Sequence, residues 1–197
     1  KGRLVRRFGV DIFGTAKMTK LLEKRPNGPG MHGASRTGKA SEYKKQLLEK
    51  QKLRLMYGLT ERQLRNYYLK AASQKGATGT EMLKMIERRL DNAVYRAGFA
   101  KTRFQARQIV NHGNFNLNGK RVTIPSIQIR EGDAIEVRSR LKESPLFTLV
   151  KEDKAFDHAR WLKSDQKALT SEISALPEDK DLDQLIETQL VVEFYSK

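Results

Sequence analysis

The sequence predicts an α+β protein: a mostly helical, basic N-terminal region, then two helices followed by a small curled β-sheet. Three observations carry this. Four segments between residues 41 and 113 repeat apolar side chains at helical spacing, and each opens on a Ser or Thr cap. After Gly113 the period changes to two and turn signals recur. The formal net charge is +16 over 197 residues, and it is graded along the chain. Residues 1–60 hold 15 Lys/Arg against 4 Asp/Glu, and residues 61–110 hold 11 against 4. Residues 111–150 hold 6 against 4, whereas residues 151–197 are acidic, with 7 against 11.

Residues 1–40 are expected to be irregular. Pro26-Asn27-Gly28-Pro29-Gly30-Met31-His32-Gly33 is a cluster of helix and strand breakers flanked by Lys24, Arg25, Arg36 and Lys39. The first helix is placed from Ser41, with Glu42 in its positive first turn and Tyr43, Leu47, Leu48 and Leu55 as the apolar stripe. Gly58 stops it. The second follows Thr60, which forms a capping box with Gln63, and turns Leu64, Tyr67, Tyr68 and Ala71 inward. The third is read as continuous from Thr80 to about Gly98, with Met82, Leu83, Ile86, Leu90, Val94 and Ala97 inward and Arg88, Arg89 and Arg96 off that stripe. The fourth opens on Thr102 and Gln105, a second capping box, and buries Ala106, Ile109 and Val110.

Beyond Gly113, Phe115-Asn116-Leu117 runs into Asn118-Gly119, the strongest short hairpin signal, and Arg121 to Ile124 returns. Ala134-Ile135-Glu136-Val137 is a last short strand. In the less periodic remainder, Trp161 and Leu162 anchor a helix or loop, Pro177 to Asp183 is an acidic loop, and Leu190 to Tyr195 forms a closing strand or packed tail.

The composition narrows the function. Such a positive balance points to a polyanionic partner, nucleic acid before an anionic membrane, because neutralised phosphates release condensed counterions. No cysteine is present, which excludes disulfides, thiolate zinc sites and a Cys nucleophile. No apolar run approaches the ~20 residues that span a bilayer. Lys1-Gly2-Arg3 is followed by no apolar signal region, so neither secretion nor membrane insertion is expected.

Arg88-Arg89-Leu90-Asp91-Asn92, Tyr95 to Ala100, Thr102-Arg103 and Ala106 to Gly113 resemble the helical half of the S-four-type (alpha-L) RNA-binding domain. Asn118 to Val122, Ile124-Pro125-Ser126 and Gly132-Asp133 resemble its hairpin half. The flanks, Arg6-Arg7, Pro29 to Gly33, Glu49 to Lys52, Tyr57-Gly58, Arg65 to Tyr68 and Glu193 to Lys197, resemble the S-four family of small-subunit ribosomal proteins itself. The resemblance covers nearly the whole chain and is weakest over about 140–188.

It implies a helical domain of residues 1–79 completed by the tail 189–197, with the RNA-binding domain and its extension inserted over 80–188. It also implies a primary binder of the 5′ domain of small-subunit rRNA, in a cytoplasmic or organellar ribosome. Nucleation of the subunit body, a contribution to translational accuracy and a neighbour in ribosomal protein S-five follow from the same resemblance. In some members the protein's own mRNA is a further partner. No cofactor is expected.

The candidate RNA contacts are basic. A-form RNA is read through its shape, phosphates and 2′-hydroxyls. Arg103 and Arg107 lie four apart and share one helix face, where guanidinium forks can grip phosphate oxygens. Lys101 precedes that helix, and His112, Lys120 and Arg121 follow it. Arg88 and Arg89 join them through the family match. In the first region the candidates are Arg6, Arg7, Arg36, Lys44, Lys45, Lys50, Lys52, Arg54 and Arg65, few of which have acids nearby in sequence. His32 either touches phosphate or packs, and Tyr67 and Tyr68 either stack on bases or join the core.

An enzyme is not expected. His32, His112 and His158 have no metal-ligand spacing, and there is no Walker loop or dinucleotide fingerprint. An Arg-Leu-Asp string like Arg89-Leu90-Asp91 also surrounds the catalytic Asp of some pseudouridine synthases. Here it sits inside the binding domain, and Asp91 is read as the partner of a nearby Arg or as a turn cap.

Overall fold

The computed structural model describes residues 1–35, 40–153 and 157–197. The fold is α+β: among the described residues it has nine α-helices and one five-stranded antiparallel sheet. The chain divides into two compact units, residues 1–79 with 184–197, and residues 80–183. No helix among the described residues is long and apolar enough to cross a membrane.

The first unit opens with α1 (Gly2–Phe8) and α2 (Ala16–Lys24), which corrects the expectation of an irregular start. Val5 and Met18 are the buried anchors of these helices. The Asp11 carboxylate joins them, accepting from the backbone N–H of Phe13 and Thr15, each at 2.8 Å. The glycine cluster beyond Pro26 holds a single 3-10 turn, Met31–Ala34.

Ser41 caps α3 (Glu42–Met56) and Thr60 caps α4 (Glu61–Ala72), where the capping box with Gln63 forms in full. The buried face of α3 differs from the expected stripe. Gln46, Glu49, Lys50, Leu53 and Met56 are buried, and Tyr43 is 57% exposed. The reason is α9 (Thr188–Tyr195), which packs on α3 and α4. It is a helix where the sequence suggested a strand or tail. Gln46 Nε2 donates to Glu193 at 2.9 Å, Tyr195 Oη donates to Glu61 at 2.7 Å, and Tyr68 stacks on Tyr195 at 5.1 Å. Each polar residue on the covered face of α3 thus meets a partner, which a buried polar group requires.

The second unit starts from α5 (Thr78–Glu87) and α6 (Leu90–Arg96), two helices where the sequence predicts one. The break has a hydrogen-bonding cause. Leu90 N donates to Ile127 O (2.8 Å), Asp91 N to Pro125 O (3.1 Å) and Ile129 N to Arg88 O (2.9 Å). The chain leaves helical dihedrals at Arg89 to take these bonds. The apolar stripe survives the break, with Met82, Leu83, Ile86, Leu90, Val94 and Ala97 all buried. Thr102 caps α7 (Arg103–Asn111) through Gln105 N, but the Gln105 side chain accepts from Lys101 N at 2.9 Å, so the expected reciprocal box does not close.

The sheet has the order β2-β1-β3-β5-β4: β1 (Phe115–Leu117), β2 (Lys120–Val122), β3 (Ala134–Val137), β4 (Leu162–Asp165) and β5 (Thr170–Ile173). Asn118 (φ 51°) and Gly119 (φ 76°) make the hairpin turn between β1 and β2, with both residues left-handed as that turn demands. Strands β4 and β5 were not expected. A turn at Asp165, whose carboxylate accepts from Lys167 N and Ala168 N, folds them back on each other. Phe99, Phe115 and Phe147 are fully buried at the centre of the core, with α8 (Pro145–Lys151) supplying Phe147.

Candidate nucleic-acid interface

A cation meets a polyanion most readily where it is solvent-accessible and no carboxylate already holds it. The predicted contacts divide sharply on this test.

In the second unit, several arginines are spent internally. Arg89 is 1% exposed and donates to both oxygens of Asp91, at 3.0 and 2.8 Å. Arg107 Nε lies 3.1 Å from the same carboxylate. Arg88 donates to the Ile129 carbonyl. Arg103 and Arg107 do share one face of α7, as their spacing predicts, but that face meets the acids of α5 and α6. Arg103 Nε donates to Asn92 Oδ1 at 2.9 Å, its Nη2 to Asp183 at 3.1 Å, and its guanidinium lies 4.7 Å from the Tyr95 ring centre. Arg96 forks onto the fully buried Glu87, at 3.0 and 2.8 Å, and Asn92 Nδ2 donates to the same carboxylate. Arg89 thus stands in a core ion pair, which argues against its use as an RNA contact, and Arg88, Arg103 and Arg107 hold the helices together. Asp91, 5% exposed and held by two arginines, is an ion-pair partner.

Several accessible cations of this unit lie near the end of α7, on β2 or just past β3. His112 caps that end and is exposed. Lys120 and Arg121 stand exposed on β2, the edge strand. The Arg121 guanidinium lies against Gly113 so closely that a Cβ there would sit 2.6 Å from its Nε. Arg138 Nη1 reaches the Gly113 carbonyl at 3.4 Å, and Arg140 is exposed two residues on. Desolvation first, and then the positive charges of Arg140 and Arg121, push the Arg138 pKa down. None of His112, Lys120, Arg121, Arg138 and Arg140 has a carboxylate partner among the described residues. Arg138 and Arg140 are absent from the sequence-based set. The register brings them in: Phe115 pairs with both Val122 and Val137, so the residues beside those valines meet at one end of β1. Lys101 is also exposed, at the opposite end of α7.

In the first unit the surroundings of Lys50 argue against its use as an RNA contact. It is 5% exposed, its Nζ lies 2.9 Å from Glu61 and 4.4 Å from the Phe194 ring centre, and it ties α3 to α4 and α9. Burial works to raise the Glu61 pKa, but hydrogen bonds from Lys50 and Tyr195 and the charges of Lys50 and Arg54 outweigh it and hold the carboxyl below its ordinary value. Lys52 pairs with Glu49 at 2.8 Å and is largely buried, and Lys45 pairs with Glu42 at 2.7 Å on the exposed surface. Arg54 is half-buried and its Nε has no hydrogen-bond partner. Arg6 donates to the carbonyls of Asn27 (2.9 Å) and Gly28 (2.8 Å), so it braces the glycine loop. His32 is exposed on that loop, and Arg7, Lys44 and Arg65 are exposed on α1, α3 and α4. Arg36 lies outside the described residues. Tyr67 and Tyr68 are half-buried, and Tyr68 is stacked on Tyr195.

Comparison with known proteins covers the same ground. Residues 1–87 match the ribosomal protein S4/S9 N-terminal domain, and residues 88–135 match the S4 domain. The chain is 48% identical over its full length to the small ribosomal subunit protein uS4 of Borrelia turicatae, covering 96% of that protein. It is 49% identical, with the same coverage, to the uS4 of Borrelia duttonii. The uS4 of Chlorobium limicola is 45% identical over 99% of this chain and 96% of its own length. With both domain models matched in order and relatives this similar from end to end, the chain belongs to the ribosomal protein S4 (uS4) family.

Proposed function

We propose that this chain is a primary binder of small-subunit rRNA that recognises the 5′ domain and helps nucleate assembly of the subunit body. Membership of its family makes it a structural, RNA-binding component of the small ribosomal subunit. The finer reading is supported by one observation above all. Arg121 and Arg138 lie against Gly113, with Arg140 two residues on and no carboxylate paired with any of the three among the described residues, while Arg96 and the arginines on the helical face of α7 are already paired. Guanidinium groups so placed can accept successive phosphates of an A-form backbone bidentately. A contribution to translational accuracy beside ribosomal protein S-five, and repression of its own mRNA, extend this reading. We read no catalytic role: Asp91 is enclosed by Arg89 and Arg107 and presents no free carboxylate.

The test is affinity for a transcript of the 5′ domain, against an unrelated structured RNA of equal length, across a salt series. Recognition of shape predicts a preference that persists at high salt. Equal affinities that fall together as salt rises would reduce the interaction to counterion release.

A further inference from the structure

We propose that the corner formed by Lys84, Arg96 and Arg103 is a polyanion-binding surface that the chain keeps closed with its own carboxylates, Asp179 and Asp183. The proposal rests on the RNA-binding reading above and adds where RNA is kept out.

The three cations come from three successive helices. Lys84 is on α5, Arg96 ends α6, and Arg103 is the first residue of α7, at the positive end of that helix. What meets them is the acidic stretch around the short 3-10 turn Asp179–Asp181, which Glu178 and Asp181 cap reciprocally. Lys84 Nζ lies 2.8 Å from Asp179 and 3.2 Å from Glu81. Arg103 Nη2 lies 3.1 Å from Asp183, and Arg96 Nη2 3.9 Å from the same carboxylate. Hydrogen bonds to Asp179 and Glu81 raise the Lys84 pKa. A carboxylate on a guanidinium occupies the position a phosphate would take, so these acids stand where RNA oxygens would stand.

Two features make this closure reversible. The Asp179 side chain is 72% exposed, so its pair with Lys84 is screened by salt and weak. Glu87, fully buried, holds Arg96 and Arg103 from beneath whether or not Asp183 is in place. The cations therefore stay positioned when the acids are removed. With this corner closed, RNA meets the arginines around Gly113 instead.

The experiment measures binding of the full chain to poly(U) and to the 5′-domain transcript, with acetylation footprinting of Lys84. It compares wild type, D179N/D183N, D179N alone, and the control E131Q/E143Q, which removes two exposed acids remote in sequence from the corner. D179N/D183N is expected to bind poly(U) tighter by about five-fold for each further phosphate neutralised at about 0.1 M salt, with a salt slope steeper by about 0.7 per phosphate. Lys84 becomes protected by poly(U) in that variant and in D179N, whose exposed side chain leaves the core untouched. The control, with the same change in net charge, changes affinity by less than about two-fold and leaves Lys84 reactive. Equal affinity increases in D179N/D183N and the control, with Lys84 unprotected in both single and double variants, would overturn the proposal alone. Failure of the wild type to prefer the 5′-domain transcript would overturn the rRNA reading, and this proposal with it.

Discussion

At the scale of single residues, positive side chains do opposite work, and burial decides which. Lys50 is enclosed by Glu61 and Phe194, so its charge contributes to the first unit's own stability. Removing one member of a buried pair costs about 3–5 kcal/mol. Because the Glu61 side chain is 43% exposed and can rehydrate, Lys50→Ala is expected to cost about 1–3 kcal/mol in urea unfolding, with rRNA affinity unchanged for the folded protein. Arg121 and Arg138 behave in reverse. Arg121→Ala and Arg138→Ala should each flatten the salt dependence of rRNA binding by about 0.9 and weaken it across sequences, with thermal stability nearly unchanged. Anisotropy titrations at several salt concentrations check both. Composition and motif made the basic character of these residues legible. The local pairing of Asp91 with Arg89 was legible too; what stays hidden is the neutralisation made by tertiary contacts, Arg107 with Asp91, Arg96 with Glu87 and Arg103 with Asp183, the last across 80 positions of sequence.

At the scale of elements, α9 carries the clearest physical consequence. It closes over α3 and α4 through a chain of polar contacts, Lys50 to Glu61 to Tyr195, and Glu49 accepts from Glu187 N at 2.8 Å. Burial, then the hydrogen bond to Glu61, pushes the Tyr195 pKa up, whereas Glu61 is pushed down. The signs set a window. Glu61's contribution is present above the ordinary carboxyl value of 4.5 and is lost as pH falls below it. Tyr195's contribution is present below the ordinary phenol value of 10.0 and is lost as pH rises past it, since the unfolded phenol ionises first. Tyr195→Phe should cost about 1 kcal/mol at neutral pH and should remove part of the alkaline loss; hydrogen exchange in α9 between pH 8 and 11 reads both. An alkaline limb as steep in the variant as in wild type would assign that loss to a group other than Tyr195.

Elements were legible where caps and apolar periodicity agreed, as in α4 and α7 and the Asn118-Gly119 hairpin, whereas α3 was legible from its Ser41 cap while its buried face was not. They were not legible where a partner decides. Leu190 to Tyr195 is rich in β-branched and aromatic residues and becomes a helix because α3 and α4 offer a groove. The α5–α6 break lies in bonds to Pro125, Ile127 and Ile129 that no local window contains. Leu4, Val5 and Phe8, like Met18, Leu21 and Leu22, do carry helical spacing, but two short helices are hard to see among so many charges and glycines.

At the scale of the whole molecule, the first unit is discontinuous in sequence. It includes residues 184–197, which follow the second unit along the chain, whereas residues 80–183 form a continuous unit with its own core. That core is anchored by Phe99, Phe115 and Phe147 and does not draw on the tail. Deletion of residues 188–197 removes Val191, fully buried, and the Glu193 and Tyr195 contacts that satisfy Gln46 and Glu61. Amide exchange in α3 and α4 should then approach that of an unfolded chain, while α6, α7 and β1 to β5 keep their protection. Phe115→Ala should do the converse, costing the second unit about 3–5 kcal/mol and speeding exchange in the sheet while α3 and α4 keep theirs. If either change instead speeds exchange in both units together, the two cores fold as one cooperative body, and the tail must be reckoned part of the RNA-binding unit's stability as well as the first unit's.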